Sequence, residues 1–220
     1  MKIFIYSGGE QEKSRTNHYM EWLKDALCET DEVFLHTACE KLPRNGISGF
    51  DEIKPQLEAE MLDADIVIFA SPVYMHNTSG TMKSFLDAFM PWCHSMALAG
   101  KLGIAMSFSF GNGNDEVNEY VVKMLRYFGA AVVGALSFEF AIDDEMTKKR
   151  LLGFVNAAKN ADLTKIKVSD NQKKVYETYK NLYEKKKMVS QEEYDIMKRI
   201  GVEKFDNFQE VFENNIRKAK

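Results

Sequence analysis

Residues 66–89 read IVIFASPVYMHNTSGTMKSFLDAF, and this stretch decides the fold. Its first five residues, 66–70, are apolar without alternation, which is typical of a strand buried on both faces of a parallel sheet. A polar loop follows, and residues 79–92 then place apolar side chains at helical spacing. The stretch therefore predicts a buried strand, a loop and a helix that covers the strand.

The same order of strand and helix recurs along the first 161 residues. Apolar, β-rich runs lie at residues 3–6, 33–35, 66–70, 102–110 and 131–140, and each is followed by an amphipathic stretch, at 16–28, 52–63, 79–92, 115–128 and 144–160. Right-handed crossovers between parallel strands arrange such a series in three layers. We therefore predict an α/β fold with a doubly wound, five-stranded parallel sheet.

Composition excludes several classes of protein. The chain has 220 residues, of which 45% are hydrophobic and 28% charged, as in ordinary globular proteins. The net charge is −4 and basic residues form no long block, so we expect no nucleic-acid partner. No run of about 18 apolar residues predicts a membrane span, and the apolar start at residues 3–6 is too short for a secretory signal. We expect a cytoplasmic protein.

The three cysteines, Cys28, Cys39 and Cys93, form no CxxC pair. This spacing predicts no metal site and no disulfide framework.

The composition changes after residue 161, where residues 162–220 contain no proline and a single glycine, Gly201. We interpret residues 1–161 as one domain and residues 162–220 as a helical C-terminal extension. Residues 171–188 predict one helix, and Ser190-Gln191-Glu192-Glu193 predicts a capping box for a helix that Gly201 ends. An apolar stripe follows at Phe205, Phe208, Phe212 and Ile216. This stripe could dock on the first domain, form a dimer contact, or cover the site as a lid.

Ligands of open parallel sheets bind beyond the carboxyl ends of the strands, where the strand order reverses. The loop after the first strand, residues 7–17, reads SGGEQEKSRTN and leads into a helix whose free N–H groups favour an anion. Arg15 adds positive charge there, and further donors come from Ser14, Thr16 and Asn17. The alternative is simple N-capping by Ser14 or Thr16. Because the loop is neither GxGxxG nor a Walker A motif, it argues against a dinucleotide-binding Rossmann domain and an NTPase.

The loops after the third and fourth strands complete this edge. Pro72 directly follows the buried strand and is expected to end its hydrogen-bond ladder. A flat heterocycle needs an apolar wall with polar groups at its edge, which the next four residues offer: Val73, Tyr74, Met75 and His76. For His76, ligand contact and simple exposure both stay open. In the later loop, Gly111, Asn112 and Gly113 predict either close approach to a ligand or only a tight turn.

Residues 71–89, SPVYMHNTSGTMKSFLDAF, resemble the signature of the flavodoxin-like NAD(P)H-dependent FMN reductase family, roughly SPxYxxxxSGxxKxFLDR. The opening IFIYSGGEQEKSRTN is similar to that family's strand and phosphate loop, roughly GSPRxxSNT. The resemblance implies a flavodoxin-like sheet with strand order 2-1-3-4-5. It departs at residues 7–9, where Ser-Gly-Gly replaces Gly-Ser-Pro, and at Ala88, which replaces an Arg. The cysteine cluster of the related iron–sulfur flavoproteins is missing, which argues against that branch.

The resemblance also implies a cofactor site. Ser14, Arg15 and Thr16, with Asn17 beside them, would hold the FMN phosphate, and Ser7 or Gly8 would lie behind. Pro72, Val73, Tyr74, Met75 and His76 would line the isoalloxazine edge, and Gly111, Asn112 and Gly113 would close the other side of the ring.

The activity implied is an FMN-dependent oxidoreductase that passes electrons from NADPH or NADH through FMN to a quinone, a flavin or another small-molecule electron acceptor. The resemblance also implies a homodimer. We expect no metal, and no catalytic side chain, because the flavin itself carries the chemistry. The alternatives are a flavodoxin-like FMN-binding electron carrier without NAD(P)H activity, and a scaffold protein that has lost the cofactor.

Overall fold

The structure is a computed structural model that describes residues 1–11, 14–38, 50–140 and 143–218. Its strands are β1 (Lys2–Ser7), β2 (Glu32–Thr37), β3 (Ile66–Tyr74), β4 (Asn77–Thr78), β5 (Leu102–Ser109) and β6 (Ala131–Glu139). Its helices are α1 (Arg15–Leu27), α2 (Phe50–Asp63), α3 (Gly80–Ala88), α4 (Trp92–Ser95), α5 (Asn114–Tyr127), α6 (Asp144–Lys159), α7 (Asp170–Glu184), α8 (Gln191–Ile200) and α9 (Phe208–Lys218).

The five long strands form a parallel sheet in the order β2-β1-β3-β5-β6, and the two-residue β4 pairs antiparallel with β3. Counted without β4, this is the order 2-1-3-4-5, so the predicted topology is confirmed. The chain winds outward from β1 in one direction and from β3 in the other. The order therefore reverses between β1 and β3, which is where such sheets bind ligands.

Burial explains why the central strands are continuously apolar. Residues 3–6 of β1 and 66–70 of β3 are fully buried, because helices cover both faces of the sheet. Helix α1 packs against α6, while α5 packs against α4 and α7. The predicted three layers are present, and side chains of every layer share one apolar core.

Two of the predictions were wrong, and the first concerns Pro72. Pro72 does not end its strand, since β3 continues to Tyr74 and Pro72 lies opposite Phe108 of β5. The Ala70 carbonyl accepts from the Gly8 N–H, so the backbone polar groups of Ala70 face β1. Those of Pro72, two residues later, face the same way. Because β1 pairs only as far as Ala70, the missing N–H of Pro72 breaks no ladder hydrogen bond.

The second error concerns residues 79–92, which do not form one helix. Helix α3 ends at Ala88, and the short α4 begins only at Trp92. Pro91 has no N–H and disfavours helical backbone at the preceding residue, which explains the break between the two helices.

The C-terminal extension docks on the first domain. Gln172 of α7 is buried and its side-chain amide donates to the carbonyls of Arg126 (3.1 Å) and Ala130 (3.0 Å). The predicted helix between Ser190 and Gly201 is α8, whose cap Ser190 accepts from the Glu193 N–H. The Glu193 carboxylate accepts from the Val189 N–H rather than from the cap residue, so the predicted capping box is only half formed.

The extension lies at the amino edge of the sheet. Arg199 and Asn215 of the extension line a cavity of about 780 Å³ together with Lys2, Asp65 and Lys101, which lie where strands start. The carboxyl ends of the strands are at the opposite edge. The described part of the extension therefore matches the docking alternative and not the lid.

Candidate functional site

Buried hydrogen bonds shape the loop between β1 and α1. The Ser7 hydroxyl donates to Asn17 Oδ1 (2.6 Å), and Asn17 Nδ2 donates to the carbonyls of Gly9 (3.2 Å) and Gln11 (3.1 Å). A Cβ on Gly9 would collide with the side chains of Ser14 and Asn17, so only glycine lets the loop pass this close. Ser7 and Asn17, both predicted binding residues, thus hold the loop in place from beneath.

Gly8, another predicted binding residue, ties this loop to the one that follows β3. Its N–H donates to the Ala70 carbonyl (2.8 Å), and its carbonyl accepts from the hydroxyls of Ser79 (2.7 Å) and Thr81 (2.9 Å). Both polar groups of the Gly8 backbone are therefore engaged within the protein. Gly8 fixes the distance between the two loops rather than presenting a donor to a ligand.

The amino end of α1 presents two hydroxyl side chains that do not cap the helix within the described residues. Ser14 occupies the N-cap position, but its side chain makes no capping hydrogen bond. The Thr16 hydroxyl is buried and has no hydrogen-bond partner among the described residues. The Arg15 guanidinium lies 4.6 Å from the centre of the Phe140 ring. Simple capping, the alternative left by the sequence, therefore does not account for Ser14 and Thr16.

These residues border a cavity of about 490 Å³ at the carboxyl edge of the sheet. Its walls combine the start of α1, the end of β3 and the ends of β5 and β6. The lining residues are Gln11, Ser14, Arg15, Thr16, Pro72, Val73, Tyr74, Phe108, Ser109, Phe110 and Phe140. The structure thus brings six of the predicted site residues to one cavity. Glu12 and Lys13, in the middle of the first loop, lie outside the described residues.

A tight hairpin extends the second loop beyond the cavity. Tyr74 pairs with Asn77, and the turn between them consists of Met75 (φ 51°) and His76 (φ 59°). Positive φ at both turn positions suits the twist of a two-residue hairpin, but it strains residues other than glycine by about 1–3 kcal/mol each. Met75 is 96% exposed and, like His76, does not line the cavity. Such strain, stored in a loop beside a cavity, is typical of functional sites.

His76 is held by a charged neighbour. Its Nδ1 lies 3.1 Å from Glu116 Oε1 in the first turn of α5, and both side chains are more than half exposed. The backbone N–H of Glu116 itself and the contact with His76 lower the pKa of this carboxyl. The pair fixes the hairpin tip against α5.

Tyr74 offers a neutral phenol at the cavity. Burial, and then the charge of Glu10, raise the pKa of Tyr74, so its hydroxyl stays protonated at neutral pH.

The third loop touches the hairpin instead of the cavity. Gly113 has φ 79°, and a Cβ there would lie 2.6 Å from Val73 Cγ1 and 3.1 Å from His76 Cα. Gly113 thus lets α5 begin directly against the hairpin. Gly111 and Asn112 are exposed, and none of the three predicted residues of this loop lines the cavity.

Sequence reasoning did not single out five residues of the cavity wall, although all but Phe140 lie in the candidate loops: Gln11, Phe108, Ser109, Phe110 and Phe140. Phe108 is buried and stacks with Phe138, while Phe110 is 84% exposed and meets the Phe140 ring edge-on at 5.0 Å. The alternation of serine and phenylalanine over residues 107–110 was a usable signal. Phe140 follows the last strand, and the loop there was not among the candidate loops.

The cavity fits a phosphorylated, planar aromatic molecule. A buried hydroxyl without a partner, as at Thr16, is costly unless a ligand pairs with it. Uncapped backbone at the start of α1 and the Arg15 cation favour an anion there. Aromatic rings from β3, β5 and β6 supply flat walls, and the volume lies within the range of about 300–1,000 Å³ that is common for ligand sites.

Two curated proteins show local similarity to this chain. An iron–sulfur flavoprotein of Archaeoglobus fulgidus is 38% identical over 85 residues, which is 38% of this chain and 37% of that protein. An NAD(P)H dehydrogenase (quinone) of Geotalea uraniireducens is 26% identical over 134 residues, 56% of this chain and 64% of that protein. The chain thus spans between about a third and two thirds of the length of these relatives.

Solved structures support the fold. The WrbA-like flavodoxin of Agrobacterium tumefaciens superposes with a TM-score of 0.53 at 19% identity, covering 71% of this chain and 94% of the other. At this identity the likeness shows a flavodoxin-like fold. No helix in the described ranges is both long and apolar enough to span a membrane. Within the same ranges, no three His, Cys, Asp or Glu side chains cluster as metal ligands.

A family model described as NADPH-dependent FMN reductase matches residues 1–145, about two thirds of the chain. The matched range contains every residue that lines the cavity at the carboxyl edge. The FMN cofactor predicted from the sequence is confirmed. The chain belongs to the NADPH-dependent FMN reductase family.

Proposed function

We propose that this protein passes electrons from NADPH or NADH, through FMN bound at the carboxyl edge, to a quinone, a free flavin or another small planar acceptor. The observation that carries the proposal is the buried Thr16 hydroxyl, which has no hydrogen-bond partner among the described residues and lies at the start of α1, opposite aromatic walls. Bound FMN supplies the hydride-accepting and electron-donating chemistry. The protein has to hold it, orient it and admit its substrates.

The phosphate end of the cofactor would lie at the start of α1. Thr16 donates its hydroxyl, Ser14 adds a second, and the backbone N–H groups of the first helical turn point the same way. The Arg15 cation, held over the Phe140 ring, neutralises part of the charge. Because Ser7 and Asn17 fix the loop from below, these donors are positioned before the ligand arrives.

The ring end would lie against the β3–β4 hairpin. Pro72 and Val73 are buried or half-buried and give an apolar wall, and Tyr74 adds a protonated phenol beside it. Since β3 still pairs with β5 at Pro72, this wall is part of the sheet and cannot move independently. A rigid wall keeps the ring in one orientation and excludes water from one of its faces.

The mouth of the cavity suits a flat, apolar acceptor. Phe110 is 84% exposed and Tyr74 47%, and both line the cavity, so two of the large exposed hydrophobic side chains of the described residues border it. Exposed apolar side chains that cluster beside a cavity mark a binding surface. Aromatic rings among them favour planar partners, which include quinones and the isoalloxazine of a free flavin. The homodimer and the cytoplasmic location expected from the sequence stay predictions.

Anaerobic mixing of the FMN-loaded protein with NADPH and, separately, NADH tests the proposal. We expect one of the two to bleach the flavin absorption, and a naphthoquinone or free FMN added afterwards to restore it. If neither dinucleotide bleaches the flavin, the electron-carrier alternative replaces the enzyme. If bleaching occurs but quinone and flavin both fail to restore the colour, the proposed acceptor class is wrong.

A further inference from the structure

We propose that the cavity at the amino edge of the sheet binds a small phosphate monoester between Lys101 and Arg199. This amino-edge cavity has a volume of about 780 Å³ and lies at the edge opposite to the proposed FMN site. Helices α8 and α9 of the extension supply Arg199, Ile200 and Asn215 to its wall. Since the family match ends at residue 145, these three residues lie outside the part of the chain that the family model describes.

Two cations in the wall of the amino-edge cavity have no counter-ion. Neither the Lys101 ammonium nor the Arg199 guanidinium makes a hydrogen bond or an ion pair with any residue that the structure describes. Positive groups that lose part of their hydration in a protein are normally paired, because burial without a partner is costly. Both cations can therefore receive an anionic group of a ligand.

The carboxylates of the same wall face Lys2 instead. Asp63 lies 2.6 Å and Glu32 lies 3.5 Å from Lys2 Nζ, and Asp65 Oδ2 accepts from the Lys2 backbone N–H (2.9 Å). Asp65 and Asp63 attract Lys101 only over a longer distance, without a contact. The acidic side chains are thus engaged elsewhere and do not neutralise Lys101 or Arg199 by direct pairing.

The charges around the two cations show that they share one environment. Burial lowers the pKa of the Lys101 ammonium, and the attraction of Asp65 and Asp63 does not cancel this effect. The positive charge of Arg199 lowers the same pKa further, so the two cations are close enough to repel each other. Burial also lowers the pKa of Arg199, although Glu58 attracts it. An anion between the two would offset both the lost hydration and the repulsion.

The composition of the wall indicates the chemical class of the ligand. Two cations favour a dianion, and a phosphate monoester carries a charge of about −1.5 to −2 at pH 7. The planar fork of an arginine guanidinium matches phosphate oxygens. The volume lies within the range of about 300–1,000 Å³ that is common for small-molecule sites, so it leaves room for the esterified group. Apolar side chains border that room: Leu62, Ala97, Ala99 and Ile200.

Calorimetric titration of the FMN-loaded protein with phenyl phosphate tests the proposal, because FMN already occupies the start of α1. We expect one phenyl phosphate per chain and no measurable binding of phenol, which lacks the phosphate. Arg199→Gln and Lys101→Met should each weaken phenyl phosphate binding roughly tenfold, since each removes a charge-assisted contact. Lys198→Gln is the control, because it removes an exposed charge of α8 that does not line the cavity, and it should leave the affinity unchanged.

Urea unfolding of the same variants separates binding from folding. Because neither cation contacts a partner among the described residues, both variants should unfold at urea concentrations no lower than the wild type. Lower midpoints in both variants would show that the cations serve the fold and would overturn the proposal. It would equally be overturned by a wild type that does not bind phenyl phosphate, by unchanged affinity in both variants, or by the same loss in Lys198→Gln. These losses locate the ligand at the amino edge whether or not NADPH reduces the flavin.

Discussion

Replacing Thr16 by valine should change stability and cofactor affinity in opposite directions. The flavin-free protein should become more stable, and its binding of the cofactor should become weaker. Valine has nearly the same shape and helix propensity as threonine, so the change only replaces the hydroxyl with a methyl group. That hydroxyl is buried without a hydrogen-bond partner among the described residues of the flavin-free chain. With FMN bound, the same hydroxyl would donate to a charged phosphate oxygen.

The magnitudes follow from the two states. An unpaired buried hydroxyl costs about 1–3 kcal/mol, so its removal should raise the free energy of unfolding of the flavin-free protein by about 1 kcal/mol after relaxation. A hydrogen bond to a charged group contributes about 1.5–3 kcal/mol. Since about 1.4 kcal/mol corresponds to a tenfold change, FMN affinity should fall by about 10- to 150-fold.

Urea unfolding of the flavin-free protein and calorimetric titration with FMN measure the two effects in the same preparation. Thr178→Val serves as the control, because Thr178 is exposed on α7 and its hydroxyl bonds only the Lys174 carbonyl. The control should change FMN affinity by less than about twofold. A Thr16→Val protein that is less stable than the wild type and binds FMN equally well would refute the assignment of Thr16 to the phosphate.

Three further predictions concern the mouth, the extension and the amino edge. Phe110→Ala should raise the KM for a naphthoquinone about fivefold, because the contact between rings is lost, and should leave ferricyanide reduction unchanged. Met146→Ala, at another exposed apolar side chain, is the control. An equal effect on both acceptors would contradict the proposed mouth of the cavity. Gln172→Leu leaves the carbonyls of Arg126 and Ala130 without their donor, so urea unfolding should show a free energy of unfolding lower by about 1–3 kcal/mol. The affinity for FMN should stay the same. A weakened affinity would show that the extension influences the site. Burial opposes ionisation of Asp31, but hydrogen bonds from Lys159 and the amino terminus outweigh it and lower the pKa of Asp31 to about 2, below its ordinary 3.8. The stabilisation is therefore full above about pH 4 and is lost as the pH falls toward 2, so the stability deficit of Asp31→Asn should shrink over that window in urea titrations; a constant deficit would argue against the ion pairs.

The sequence contained enough to predict the sheet and two of its loops. Continuous apolar runs mark strands covered on both faces, and their spacing leaves room for one crossover helix each. That pattern sufficed for the doubly wound parallel sheet and for placing residues 14–16 and 72–74 on one edge, while the confirmed strand order was implied by the family resemblance. Residues 72–74 end β3, and residues 14–16 begin the helix that follows β1, so their location follows from the order of the elements.

The rest of the cavity wall depends on tertiary packing, which a local sequence pattern does not predict. Phe140 reaches the cavity because β6 shifts its register against β5 between Gly103 and Ile104, and no short stretch of sequence records such a shift. The two-residue β4 is too brief for a periodic signal, and its turn uses Met75 and His76 where glycine or asparagine would be expected. Residue types that do not suit their backbone conformation, such as Met75 and His76 at positive φ, are expected in a strained functional loop.

Titration of the flavin-free, full-length protein with FMN and with riboflavin tests the central claim most directly. Because the proposed site would hold both the phosphate and the ring, we predict one FMN per chain, with its fluorescence quenched on binding, and riboflavin bound at least tenfold more weakly because it lacks the phosphate. Failure to take up FMN, or equal affinity for the two flavins, would contradict a site in which the start of α1 grips the phosphate.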